Sequence, residues 1–251
     1  MRSDALARSR KRRNGYEVLC EAVFRPLAHP LVLVLARLRV PPPAVVAAAG
    51  AAGFAGAIEI GRGSLIAAAL LVQLKTLLDN ADGQLARLTG RTSAFGRYLD
   101  SDLDLLVNAA LFAAVAWRYG EPLLVVAGFV ALTSVLSLNF NAARLSSVSG
   151  AEPDEKLSSD KLSLSLARGF YRAVYAPQDR LAAWLVARRP ALVSPAAVTA
   201  LANLGMSSQL AVLGLFLVLG HPLGFAWLAI GELVVIGLAL FPQRPPVQET
   251  A

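Results

Sequence analysis

Asp79 to Asp104 reads DNADGQLARLTGRTSAFGRYLDSDLD and sets five aspartates between the apolar runs Leu65 to Leu78 and Leu105 to Trp117. An α-helix turns about 100° per residue, so side chains three or four positions apart share a face. Asp79 and Asp82 stand at i, i+3; Gly83 and Ala86 continue that side, with Arg87 at its end. Asp100 and Asp104 stand at i, i+4, with Gly96 four residues earlier. Asp102 falls on the far side of its helix and reads as a solvated bystander. A polar link over Leu88 to Ala94 makes the two helices antiparallel neighbours. Four carboxylates then converge from two helices on one pocket.

The rest of the chain explains why this cluster is unusual. Of 251 residues, 56% are hydrophobic and 16% charged, against about 25% charged in an ordinary globular chain. Ala-, Leu- and Val-rich runs imply an all-α integral membrane protein. No strand-like alternation suits a β-barrel. The net charge of +7 comes from basic residues in the gaps between apolar runs, where they meet lipid head groups and phosphorylated substrates. Nucleic acid is therefore not an expected partner. The single cysteine, Cys20, excludes an intramolecular disulfide and a thiolate metal cluster.

Six spans are expected, preceded by an interfacial amphipathic helix. Residues 1–40 form a basic tail, retained rather than cleaved as a leader, and a helix with apolar positions at Tyr16, Leu19, Cys20, Val23, Phe24 and Leu27. Pro26 and Pro30 should bend the chain out of that helix. The membrane domain covers 41–242. Its spans run from Ala44 to about Ile60, from near Ser64 into Asp79, from near Gly96 to Trp117, from Leu123 to about Phe140, from Ser194 and Pro195 to about Leu219, and from beyond Pro222 to before Pro242. The apolar part of the second span is too short to cross alone, so its last turns carry Asp79 and Asp82 at one membrane face. The polar loop 143–192 should hold short amphipathic helices over Leu162 to Tyr175 and Arg180 to Val186, split at Pro177. Residues 243–251 form a C-terminal tail. Basic residues concentrate in the tail, the link, the long loop and Arg244, whereas the opposite turns hold Arg62 and Arg118. By the positive-inside rule this is a multi-pass protein of the cell membrane, with both termini and the aspartate site cytoplasmic.

A carboxylate in a span costs roughly 2.5–3.5 kcal/mol on insertion scales, and four together repel one another. Hard divalent cations relieve that cost best: two Mg²⁺ or Mn²⁺ ions would neutralise Asp79, Asp82, Asp100 and Asp104. The cluster lacks His and Cys, which disfavours zinc. Gly83 and Ala86 leave a face without bulk, and Arg87 supplies a fork suited to phosphate. Together these residues describe a metal-bridged diphosphate lying along a helix.

The string Asp79-x2-Asp82-Gly83-x2-Ala86-Arg87-x8-Gly96-x3-Asp100-x3-Asp104 resembles, without departure in residue or spacing, the signature of the CDP-alcohol phosphatidyltransferases. The resemblance extends to the six-span layout and the N-terminal helix. It implies an enzyme that displaces CMP from a CDP-linked lipid by attack of an alcohol hydroxyl on the lipid-side phosphate. It implies that Asp79, Asp82 and Asp100 hold the metals, and that Asp104 completes their site and is the catalytic general base. It places the CDP moiety on Asp79, Gly83, Ala86, Arg87 and Gly96, and it implies a homodimer.

The acceptor is less sharply written. A phosphorylated alcohol such as inositol phosphate or glycerol phosphate needs cations, for which Arg144, Arg91 and Arg97 are the candidates; Lys156, Lys161, Arg168 and Arg172 read as juxtamembrane charges. Lys75 either pairs with Asp79 or snorkels. Asn108, Asn139 and Asn141 should form interhelical hydrogen bonds. His29 and His221 read as structural, and Glu232 faces either the bundle or a partner. Two other readings are a soluble CDP-alcohol donor with diacylglycerol as acceptor, and a cation transporter lined by carboxylates.

Overall fold

The computed structural model describes residues 15–146, 169 and 176–240. The tail 1–13, the group Lys156, Lys161, Arg168 and Arg172, the helix expected over 162–175, and Arg244 with the segment 243–251 lie outside the described residues. Those described form helices and no strand. A π-helical turn, Cys20–Phe24, leads into α1 (Arg25–Arg37). Then follow α2 (Pro42–Arg62), α3 (Leu65–Thr89), α4 (Ala94–Tyr119) and α5 (Pro122–Ser146). The next described elements are α6 (Ala176–Arg188), a 3₁₀ turn (Pro190–Val193), α7 (Pro195–Ala202), α8 (Met206–Val218) and α9 (Pro222–Leu240).

Pro26 and Pro30 do not end the first helix, contrary to expectation. Pro26 sits in the first turn of α1 and Pro30 inside it. The widened turn upstream, in which Arg25 N–H reaches the Cys20 carbonyl, takes up the register that the missing proline donor disturbs. Cys20, Phe24, Ala28 and Val32, spaced by four, are buried, while Tyr16, Val23, Leu27 and Val34 are exposed. Pro177 lies within α6, which is described from Ala176, so the split expected there falls at the edge of the described residues.

Small residues on α2 set the geometry of the aspartate helices. A Cβ on Gly50 would lie 3.2 Å from the Leu103 side chain, and one on Gly53 would lie 2.4 Å from Val107, so both glycines receive α4. Gly56 instead faces Val72 of α3 at 3.3 Å. Thus α3 and α4 both lean on α2, and their backbones hardly approach each other. The expected antiparallel pair is real in direction, but a gap separates its members. With little hydrophobic drive between helices in lipid, such backbone proximity is what holds the bundle together.

The turn between α3 and α4 is shorter than the expected link. Gly90 adopts φ 66°, and the Gly90 and Arg91 amides return to the Arg87 and Ala86 carbonyls. That left-handed cap suits glycine. Ser93 then caps α4, its Oγ accepting from Gly96 N at 3.0 Å. Because α3 continues to Thr89, Asp79 lies near the middle of its helix and not on its last turn.

Four stretches are long and apolar enough to cross a membrane: Pro42–Arg62, Pro122–Ser146, Pro195–Val218 and Pro222–Leu240. The third is interrupted at 203–205, where a continuous span was expected. Asn203 turns its side chain away from the helix axis, donating to the Thr199 and Tyr16 carbonyls at 2.8 Å and accepting from Val18 N at 2.9 Å. Gly205 follows, with the Glu17 carboxylate and Asn139 amide close to where a Cβ would sit. The break therefore caps the N-terminal helix as it ends α7. Beyond it, Gln73 of α3 donates to the Leu210 carbonyl at 2.9 Å, in space left by Gly214.

At the crossing of α5 and α9, a Cβ on Gly128 would approach the Ala226 Cβ to 2.7 Å and its Cα to 2.8 Å. Backbone cannot step aside as a side-chain end can. Gly128→Ala should cost about 1–3 kcal/mol of stability, lowering the thermal midpoint of the purified protein in detergent. Gly231→Ala, in α9 with nothing within 4 Å, should stay within about 0.5 kcal/mol of the parent.

Candidate metal centre

Across the gap between α3 and α4, one carboxylate oxygen each from Asp79, Asp82 and Asp100 lies within 4.8 Å of the other two. Charges at that separation repel by roughly 3–4 kcal/mol per pair at an effective dielectric of about 20. Asp82 is 7% exposed, and its buried Oδ2 has no hydrogen-bond partner. An orphaned, buried carboxylate oxygen is costly unless something absent from the polypeptide completes it. The donor set is all oxygen and all anionic, which suits a hard divalent ion. These residues therefore fit a bound cation.

Asp104, expected among the metal ligands, is held differently. Its Oδ1 accepts from the Lys75 ammonium, which also donates to Asp79 Oδ1 at 3.2 Å. Lys75 is 2% exposed, so it does not snorkel. It stands one turn before Asp79 on α3 and ties that helix to α4. A cleft beside this bridge is lined by Val46, Ala49, Gly50, Lys75, Asp79, Asp100, Leu103 and Asp104.

The side expected to receive the diphosphate has its own occupant. The Arg87 guanidinium folds back over Gly83, where a Cβ would meet its nitrogens at 3.2 and 3.3 Å. Gly83 is thus a seat for Arg87, and Ala86 lies half-buried one residue before it. Gly96 meets the Ser93 hydroxyl and is otherwise open. Arg91, Arg97 and Arg144 are all exposed: Arg91 follows Gly90, Arg97 is in the first turn of α4, and Arg144 is in the last turn of α5.

The family described as CDP-alcohol phosphatidyltransferase matches residues 27–239. The chain belongs to that family. Its match to the CDP-alcohol phosphatidyltransferases runs from α1 through α9, so both aspartate helices lie inside it. A phosphatidylinositol phosphate synthase of Mycobacterium marinum is 32% identical over 131 residues, 50% of this chain and 56% of that protein. An archaetidylinositol phosphate synthase of Aeropyrum pernix is 42% identical over 64 residues, 26% of this chain and 33% of that protein. The chain therefore spans about half or less of these relatives.

Among the other polar residues, Asp102 stands where the spacing rules did not put it, whereas Asn108 makes the interhelical bond expected of it. Asp102 is buried, 7% exposed, with Oδ1 lacking a hydrogen-bond partner, so it is not a solvated bystander. It remains outside the three-carboxylate cluster. Glu232 faces the bundle, accepting from Gln209 Nε2 at 2.5 Å. Asn80 joins Cys20 and Ser207, and Asn108 reaches the Met206 sulfur across helices. Asn141 donates to the Ser137 carbonyl of its own helix at 2.9 Å and to the Asp179 carbonyl of α6 at 3.5 Å. The adjacent Asp79-Asn80 pair was the available signal for a second polar face on α3.

Removing one ligand should separate the cluster from its neighbour. Asp82→Asn should weaken Mn²⁺ binding at least about tenfold, a loss of 1.4 kcal/mol or more. Asp102→Asn should leave that affinity within a factor of about 3 of the parent. Titration of the purified protein, followed by the paramagnetic signal of free Mn²⁺, distinguishes the two.

Proposed function

We propose that this chain is an integral-membrane transferase that moves a phosphatidyl group from CDP-diacylglycerol to a small phosphorylated alcohol, releasing CMP. The observation that carries the reading is the set of three carboxylates around an unpartnered Asp82 oxygen in a member of this family. The relatives named for inositol phosphate products favour inositol phosphate over glycerol phosphate as acceptor.

The proposed topology is six spans with both termini cytoplasmic. The aspartate-bearing helices α3 and α4 are 25 and 26 residues long, about 38 Å at 1.5 Å per residue, enough to cross. α1 and its preceding turn lie at the interface with the Tyr16, Val23 and Leu27 side exposed. The chain acts as a homodimer in the cell membrane, and α9 offers exposed Trp227, Val234, Val235 and Leu238 for an apolar contact.

In this mechanism Asp79, Asp82 and Asp100 would hold Mg²⁺ or Mn²⁺, and Asp104 would complete the place of a second ion. Bound there, such ions would supply charge neutralisation for the diphosphate and for the departing CMP. Arg87 turns its guanidinium from Gly83 to the CDP phosphates, and Gly96 leaves room for their approach. Asp104 accepts the proton of the acceptor hydroxyl. The hydroxyl oxygen forms a bond to the lipid-side phosphorus as the bond from that phosphorus to the CMP oxygen breaks. Arg91, Arg97 and Arg144 gather at the same end of the bundle, where they attract the acceptor's phosphate. Transport is the weaker reading, since Glu232, the carboxylate farther along the bundle, is engaged by Gln209.

The test is the purified protein in liposomes with CDP-diacylglycerol, Mg²⁺ and a panel of alcohols, reading CMP and lipid products. Inositol phosphate should give Mg²⁺-dependent CMP release and a matching phospholipid. Asp104→Asn should lower turnover by about 10²–10⁴ while retaining CDP-lipid binding and the Mn²⁺ held by Asp79, Asp82 and Asp100. Near-normal CMP release by that variant would remove Asp104 from the role of base.

A further inference from the structure

We infer that Lys75 is a built-in cation that withholds Asp104 from the metal centre until a diphosphate arrives. The inference rests on the metal-site reading above and assigns Lys75 a positioning role within it. Three observations converge. The cluster of mutually close carboxylates contains Asp79, Asp82 and Asp100 but not Asp104. Asp104 is bonded to Lys75 instead, across the helix gap. Lys75 is buried, 2% exposed, in the wall of the cleft beside Asp79, Asp100 and Asp104.

Asp79 is shared between the two halves of the site. One of its oxygens accepts from Lys75, and the residue also contributes to the three-carboxylate cluster. The cluster therefore takes a first divalent ion without disturbing Lys75. Four carboxylates, one ammonium and one divalent ion are then nearly balanced in charge. A second ion would make the group cationic and compete with the ammonium for Asp104, at a distance where like charges repel strongly in a poorly screened site. A diphosphate changes both terms: it supplies new negative charge and a new acceptor for the ammonium. Lys75 then exchanges Asp104 for a phosphate oxygen, and Asp104 becomes available to the second ion and to the acceptor hydroxyl.

Such a device links completion of the catalytic set to donor binding, and it predicts a metal stoichiometry that depends on Lys75. The experiment is Mn²⁺ titration of the full chain in detergent micelles, with and without CDP as a soluble diphosphate, for the parent, Lys75→Met and Lys75→Arg. The parent should bind one Mn²⁺ per chain and a second at least about tenfold more weakly, with CDP closing that difference. Lys75→Met should bind two with similar affinity in the absence of CDP. Lys75→Arg should resemble the parent. Lys75→Met should also gain more thermal stability from Mn²⁺ than the parent does, because its uncompensated aspartates depend on the added ions. Two equally tight ions in the CDP-free parent would overturn the inference, and that arm stands even where Lys75→Met fails to fold. A folded Lys75→Met that still takes a single ion overturns it as well. No Mn²⁺ binding in the parent or Lys75→Arg, with or without CDP, overturns the metal-site reading itself.

Discussion

Mutual repulsion of carboxylates inside an apolar bundle is the constraint to which the surrounding structure answers. Asp79, Asp82 and Asp100 are held within 4.8 Å of one another, and membrane insertion adds its own cost to each. Two features of the fold moderate this. Lys75 neutralises part of the charge from within, bonded to Asp79 and Asp104. The packing of α3 and α4 on α2, instead of on each other, leaves a gap for the carboxylates. Gly50, Gly53 and Gly56 fix its width by admitting Leu103, Val107 and Val72 to the α2 backbone. Bulk at those three glycines would reach the aspartates by moving the helices that carry them.

Repulsion also demands that α3 be anchored on its other faces, and it is. Asn80 bonds to Cys20 of the N-terminal helix and to Ser207 of α8. Gln73 reaches the Leu210 carbonyl, and Gln84 reaches the Arg25 carbonyl. Interhelical hydrogen bonds in membranes average about 0.6 kcal/mol each, so their value here lies in number and direction more than in strength. Both irregular turns lie along this anchoring surface. The π-turn places Cys20 opposite Asn80, and the break at 203–205 brings Ser207 to the same residue. Local departures from regular helix thus serve the rigidity of the helix that carries two carboxylates of the cluster.

Much of this was legible in the sequence, because helical spacing and hydropathy are local properties. The intervals from Asp79 to Asp104 located the cluster, and the apolar runs located most helices to within a few residues. What escaped depended on contacts between distant segments. Asn203 looks like one polar residue in an apolar run until its partners, Tyr16 and Val18, are known. Periodicity placed Asp102 on the far face of α4 but could not show that this face is covered. Lys75 is one turn from Asp79, which was visible, yet its bond to Asp104 crosses 29 positions of chain and required the fold. The same bond explains why Asp104, equivalent to Asp100 by spacing, differs from it in environment.

That difference bears on how one motif serves different alcohols. In the mechanism we propose, the cluster, Arg87 and Gly96 meet a diphosphate common to every CDP-linked donor, so they carry no information about the acceptor. Discrimination must come from groups that meet the acceptor but not the donor. A phosphorylated alcohol differs from a neutral one chiefly in charge, and the exposed arginines at the α3–α4 turn and the end of α5 are the groups that we propose respond to that charge. Asp104 is where the two proposed sets meet: α4 carries it beside Asp79 and Asp100, while the first turn of the same helix carries Arg97. On the proposed roles, one rigid helix that presents both would let its cationic end orient the acceptor with the base already at its hydroxyl, which is how proximity becomes rate.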